Sequence, residues 1–167
     1  DPVFREGAMR HLDVTIRDFL RPDGSSIEFI EYRQTEDRIL RHFTLLGVDD
    51  DSCWSRGQAW AIAGFLRAWQ EFGEPRYRDA GRAVFGYWQG KSGHAVPPDT
   101  SASAIVVEQL ARMAVDCDNS EALEFLDAMD PMLEALIGHI QPTGRLVNGG
   151  FNQPKEFANR SELIWGS

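Results

Sequence analysis

Two kinds of helical segment alternate along this chain, and that alternation restricts the fold more than any other feature. Residues 3–20 put Phe4, Ala8, Leu12, Ile16, Phe19 and Leu20 on or near one face, the pattern of a helix half in water. Residues 54–72 are instead so rich in Ala, Gly, Ile, Leu and Phe that a helix there must be largely buried. A third helix opens at Glu74-Pro75, where proline suits the first turn, and runs to about residue 89. Asp99-Thr100-Ser101 caps a fourth over 102–115, apolar on most sides, and Asn119-Ser120 caps a fifth over 121–140. Between the first two helices, 27–32 alternates as a short strand, and 33–40 returns from it.

The alternation is reinforced by internal similarity. Asp1-Pro2-Val3-Phe4-Arg5-Glu6-Gly7 matches Glu74-Pro75-Arg76-Tyr77-Arg78-Asp79-Ala80, and Arg21-Pro22-Asp23-Gly24 recurs as Gln141-Pro142-Thr143-Gly144. Half-solvated helices outside a ring of buried ones account for both patterns. The predicted fold is all-α, an α/α toroid of helix hairpins with one short β strand pair. A chain of 167 residues has room for five helices and a sixth start at Glu162-Leu163-Ile164-Trp165. It opens on a helix with no loop or cap before it. The expectation is one partial domain over 1–167, a fragment or about half of a larger ring, whose exposed inner helices would favour self-association.

Charge narrows the partners. Seventeen basic against 26 acidic residues give a net charge of −9 with no basic stripe, so nucleic acid and anionic membranes are poor ligands. No apolar run approaches the roughly 18 residues of a membrane span. Cys53 and Cys117 are too few for a disulfide framework, and they and His42, His94 and His139 lack metal-ligand spacing. Neither a metal nor a cofactor is expected, and a reducing compartment is the default reading.

Asp49-Asp50-Asp51 leads into a helix start carrying Trp54, Arg56, Gln58 and Trp60. Indole faces stack on pyranose CH groups and arginine grips a carboxylate through two parallel N–H groups, so the combination points to an acidic carbohydrate. Plainer readings stand beside it. Trp54 and Trp60 can be core residues, Arg56 can pair with Asp50 or Asp51, and Asp51, Asp99 and Ser161 can be helix caps. Asn148 and Phe151 occupy a glycine-rich loop over the expected cavity and are candidates for a lid.

Trp54-Ser55-Arg56-Gly57-Gln58-Ala59-Trp60, Asp99-Thr100-Ser101-Ala102-Ser103-Ala104-Ile105 and Ser161-Glu162-Leu163-Ile164-Trp165-Gly166 together resemble the unsaturated glucuronyl hydrolases of glycoside hydrolase family 88. The unsaturated rhamnogalacturonyl hydrolases of family 105 are similar too. The resemblance implies an (α/α)6 barrel of about twice this length and cytoplasmic hydrolysis of the unsaturated saccharides that lyases release. It implies that an aspartate protonates the C4=C5 double bond of the uronic acid and directs water to C5. That proton donor is expected upstream of residue 1, so the isolated chain would be inactive. Trp54 and Trp60 would form a stacking wall, Arg56 would meet the uronate carboxylate or orient the aspartate, and Gln58 would add a hydrogen bond. Ser161 would approach the second sugar. Two departures from the family pattern stand out: Leu45-Leu46-Gly47 follows Thr44 where His-Gln-Gly is usual, and Ile27-Glu28 stands where a strand histidine is usual. The alternative function is a non-catalytic toroid module that binds an acidic carbohydrate or a protein.

Overall fold

The computed structural model describes residues 1–92, 99–116 and 119–150. Seven elements follow in order: α1 (Pro2–Phe19), β1 (Phe29–Arg33), β2 (Arg38–Phe43), α2 (Ser55–Phe72), α3 (Pro75–Ser92), α4 (Thr100–Asp116) and α5 (Asn119–Ile137).

The helix ends show why these segments begin and stop where they do. The Asp1 carboxylate accepts from the amide of Val3 at 2.9 Å, so α1 has a cap after all, supplied by the first residue. α2 starts later than an Asp51 cap would require. Trp54 holds its cap position without a side-chain bond, and Asp51 lies in the loop with its side chain 92% exposed. Gly73 ends α2 at φ 71°, passing its amide back to the Trp69 carbonyl at 2.8 Å. Asp99 does cap α4, accepting from the Ala102 amide at 3.3 Å.

α2 packs against α3 and α4, and α4 against α5, which makes α2 and α4 the inner pair. The two run in the same direction. Ser55 bonds Asp99 near their starts, and Gln70 bonds Asp116 near their ends. Ala59, Ile62, Phe65 and Leu66 of α2 meet Ala102, Ile105, Val106, Leu110 and Met113 of α4, with Val84 and Phe85 of α3 and Phe125 of α5 closing the core. α2 is less enclosed than its composition implies. Trp60, Gly64, Arg67 and Glu71 form an exposed stripe along one side. α1 contributes no fully buried residue, although Leu12, Ile16 and Leu20 lean on the core. Polar anchors fasten it instead: Arg5 donates to the Glu71 and Phe72 carbonyls at the end of α2, Arg76 to Asp13, and the Tyr77 hydroxyl to the Met9 carbonyl.

The strand pair is present but displaced along the sequence. β1 and β2 pair antiparallel with an irregularity between Glu31 and Tyr32, and the turn falls at 34–37. Cross-strand contacts fix this register: Phe29 stacks on Phe43 at 5.2 Å between ring centroids, and Arg41 pairs with Glu31 at 2.6 Å. Tyr32 ties the hairpin to α1 by donating to Asp18 at 2.8 Å.

The repeated Pro-x-Gly turns are the same structure twice. Gly24 and Gly144 sit at φ 85° and 84°, a region that suits glycine. Each amide returns to a carbonyl three residues back, Arg21 at 2.9 Å and Gln141 at 2.8 Å. Each turn then closes with one antiparallel bridge, Leu20 with Ser26 and Ile140 with Leu146. Their surroundings differ. Gly24 is buried against α3, whereas Gly144 lies exposed.

Candidate functional site

The starts of α2 and α4 lie side by side, and the loops following α1 and α5 converge on them. Gln58 draws in the first of these loops. Its amide nitrogen donates to the Gly24 and Val84 carbonyls, both at 2.8 Å, while its oxygen accepts from the Ser26 amide at 2.8 Å and the Cys53 thiol at 3.2 Å. All four hydrogen-bonding positions of the carboxamide are filled inside the protein, which leaves none for a sugar. Thr100 draws in the second loop, its hydroxyl donating to the Val147 carbonyl at 2.8 Å and its amide to that of Asn148 at 3.3 Å. The Asn148 side chain lies 2.8 Å from His139 Nδ1, so this residue is tied down at both backbone and side chain.

Arg56 sits deeper than its sequence context implies. The expectation is an exposed rim or an ion pair with Asp50 or Asp51; the structure instead buries Arg56 to 2% exposure, paired with Asp99 at 3.7 Å. It also donates to the Ser101 hydroxyl at 2.7 Å. Burial pushes its pKa down from the usual arginine value, and the Asp99 carboxylate opposes that shift. The guanidinium carbon lies 5.0 Å from the centre of the Trp54 ring. A Cβ at residue 57 would come within 3.0 Å of that indole, so Gly57 is what lets Trp54 lie against the helix start. Trp54 is half-buried, and Trp60, further along α2, is 52% exposed.

The acidic run organises the loop before α2. Asp50 accepts from the Thr44 amide at 3.0 Å and Asp49 from the Asp51 amide at 3.0 Å, while Asp51 lies 3.3 Å from His42. Glu28 closes the same loop. One of its carboxylate oxygens accepts from the Thr44 hydroxyl and from the amides of Leu45 and Leu46, at 3.2 and 3.1 Å. The two departures from the family pattern, at Glu28 and at Leu45, are therefore in direct contact. Burial pushes the Cys53 thiol's pKa up, and the thiol donates to the Gln58 side-chain oxygen at 3.2 Å. The indole nitrogen of Trp88 is the one buried side-chain donor without an acceptor among the described residues.

Asp99 is the residue that sequence reading undervalued. Read as a helix cap, it also accepts from Ser55, Ser101 and Gly150 and faces Arg56. The cap motif was visible in the chain, but nothing local revealed partners more than forty residues away. Ser161, Phe151, Cys117 and His94 lie outside the described residues. Among the described residues no three His, Cys, Asp or Glu side chains come together as a metal would require, and no helix is long and apolar enough to cross a membrane.

No family profile matches the chain. Its relatives are nonetheless those that the motifs resemble. It is 28% identical to an unsaturated glucuronyl hydrolase of Formosa agariphila, over 99% of this chain and 46% of that protein. It is 24% identical to an unsaturated chondroitin disaccharide hydrolase of Streptococcus agalactiae, over 99% of this chain and 43% of that protein. The crystal structure of the unsaturated glucuronyl hydrolase of Bacillus sp. GL1, described as responsible for the degradation of glycosaminoglycan, matches 99% of this chain with a TM-score of 0.88 at 26% identity. The match takes in 50% of that structure. The chain thus spans about half the length of the curated relatives it matches, and its fold is a partial α/α toroid.

Proposed function

We propose that this chain is the C-terminal half of a glycoside hydrolase that acts on unsaturated uronyl oligosaccharides, the products of polysaccharide lyases. The observation that carries this reading is the match of nearly the whole chain to half of an unsaturated glucuronyl hydrolase, supported by Arg56 lying against the Trp54 ring at the start of α2. In the reaction, a proton adds to one carbon of the C4=C5 double bond and water adds at C5. The hemiketal so formed opens, and the glycosidic bond breaks. The carboxylic acid that gives the proton lies, in this reading, on the part of the protein preceding residue 1.

The described residues supply the wall of the sugar site. Trp54 and Trp60 present indole surface to the CH groups of a pyranose ring. Arg56 serves from behind, and reaching a uronate carboxylate would require it to leave Asp99. Gln58 fixes the loop beside the wall, and Ser161 remains the proposed contact to the second sugar.

A binding module without catalysis is the second reading. It is favoured by one observation: Glu28, Asp50 and Asp99 each accept hydrogen bonds that hold the fold. One experiment separates the two. The parent protein, including sequence upstream of Asp1, is incubated with unsaturated chondroitin disaccharide while the ultraviolet absorbance of the conjugated double bond is followed. Loss of absorbance, slowed in Trp60→Ala, is the expected result. Saturable binding with constant absorbance would replace the hydrolase by the binding module.

A further inference from the structure

We propose that Asp99 is a positioning residue for the sugar site, setting the pose of the Trp54 indole through Arg56; this rests on the stacking role proposed above. Capping α4 requires a single acceptor, and asparagine caps as well as aspartate does. Asp99 does far more. Its Oδ1 accepts from the Ser101 hydroxyl at 2.5 Å, the Ala102 amide at 3.3 Å and the Gly150 amide at 3.2 Å. Its Oδ2 accepts from the Ser55 hydroxyl at 2.9 Å and lies 3.7 Å from Arg56 Nη1. One carboxylate therefore joins the start of α2, the start of α4 and the end of the 141–150 loop.

The negative charge has its own purpose. Both side chains of the pair are 2% exposed, and arginine does not give up its proton in a protein. A buried guanidinium without a counter-charge is driven toward water. Ser101 completes the arrangement, accepting from Arg56 at 2.7 Å while donating to Asp99. Arg56 is thereby held 5.0 Å from the Trp54 ring centre, with Gly57 directly under the indole. Removing the charge at residue 99 takes away the carboxylate that Arg56 faces, which shifts the cation against which Trp54 rests.

The test compares Asp99→Asn with Gln70→Ala, which breaks a link between the same two helices at their far ends, where Gln70 donates to Asp116 at 2.7 Å. Indole N–H resonances are recorded on the full chain, that of Trp54 being assigned with Trp54→Phe, and unsaturated chondroitin disaccharide is titrated in. Asp99→Asn is expected to move the Trp54 resonance and weaken binding about tenfold, whereas Gln70→Ala lowers the melting temperature with the resonance unmoved. A Trp54 resonance unchanged in Asp99→Asn overturns the proposal, whether or not the disaccharide binds. If Asp99→Asn does not fold, Ser101→Ala takes its place, and an unmoved Trp54 resonance again refutes the assignment. Failure of the wild type to bind the disaccharide would count against the functional reading alone, because the resonance still reports on the positioning.

Discussion

The carboxamide of Gln58 donates to the carbonyl of Gly24 at 2.8 Å across 34 positions of sequence, and this bond seats the loop after α1 on the first turn of α2. The same side chain satisfies the Ser26 amide and the Val84 carbonyl, so it connects α2, α3 and that loop at a point sealed from water.

Gln58→Ala is expected to cost about 3 kcal/mol, because it leaves buried backbone groups of two segments without partners. Urea denaturation checks the loss. Hydrogen exchange adds a sharper reading, since the Ser26 amide should lose protection while amides in the middle of α4 follow only the global change. A Ser26 amide protected as in the wild type would mean that the loop is held by other contacts.

The two matching turns allow a controlled comparison. Gly24→Ala and Gly144→Ala impose the same backbone strain, about 1 kcal/mol for a side chain at positive φ. Only at residue 24 would the new Cβ meet a neighbour, the Ala83 carbonyl oxygen at 2.3 Å; at residue 144 nothing lies within 4 Å. Gly24→Ala should therefore destabilise by about 3 kcal/mol or more and Gly144→Ala by about 1 kcal/mol. Thermal melts of the two variants settle the comparison, and equal losses would show that the first turn is not packed on α3.

The link between hairpin and α1 should depend on pH at both ends of the scale. Two hydrogen bonds from Arg17 and one from Tyr32 hold the Asp18 carboxyl below the usual carboxylate range. Burial, with the bond to Asp18 second, pushes the Tyr32 phenol up to about 12. A depressed carboxyl stabilises above its unfolded value of about 4 and loses that effect as pH falls through the folded one. A raised phenol stabilises below about 10 and loses that effect as pH rises toward 12. Phenolate absorbance should show Tyr32 ionising near 12, and Asp18→Asn should lower that midpoint while leaving it above the free value, since burial remains. An unchanged midpoint would remove Asp18 as a cause.

The helices, their order and their hairpin pairing were legible in the sequence because each depends on residues within a few positions of one another. Apolar spacing fixes a helix face, proline and glycine fix its ends, and the Pro-x-Gly pattern fixes a turn wherever it occurs, as residues 21–24 and 141–144 show. The strand pair was less legible, since its register rests on contacts across the strands such as Phe29 with Phe43. The site was legible only as a set of residue types. That Arg56 pairs with Asp99 and not with Asp50 or Asp51, that Gln58 is consumed inside the fold, and that Glu28 reaches the loop at Leu45 were decided by the tertiary structure. A local pattern says which residues share a helix or a turn. Which buried charge or amide finds which partner depends on the segments that packing brings together, and burial makes that choice binding by removing water as the alternative partner.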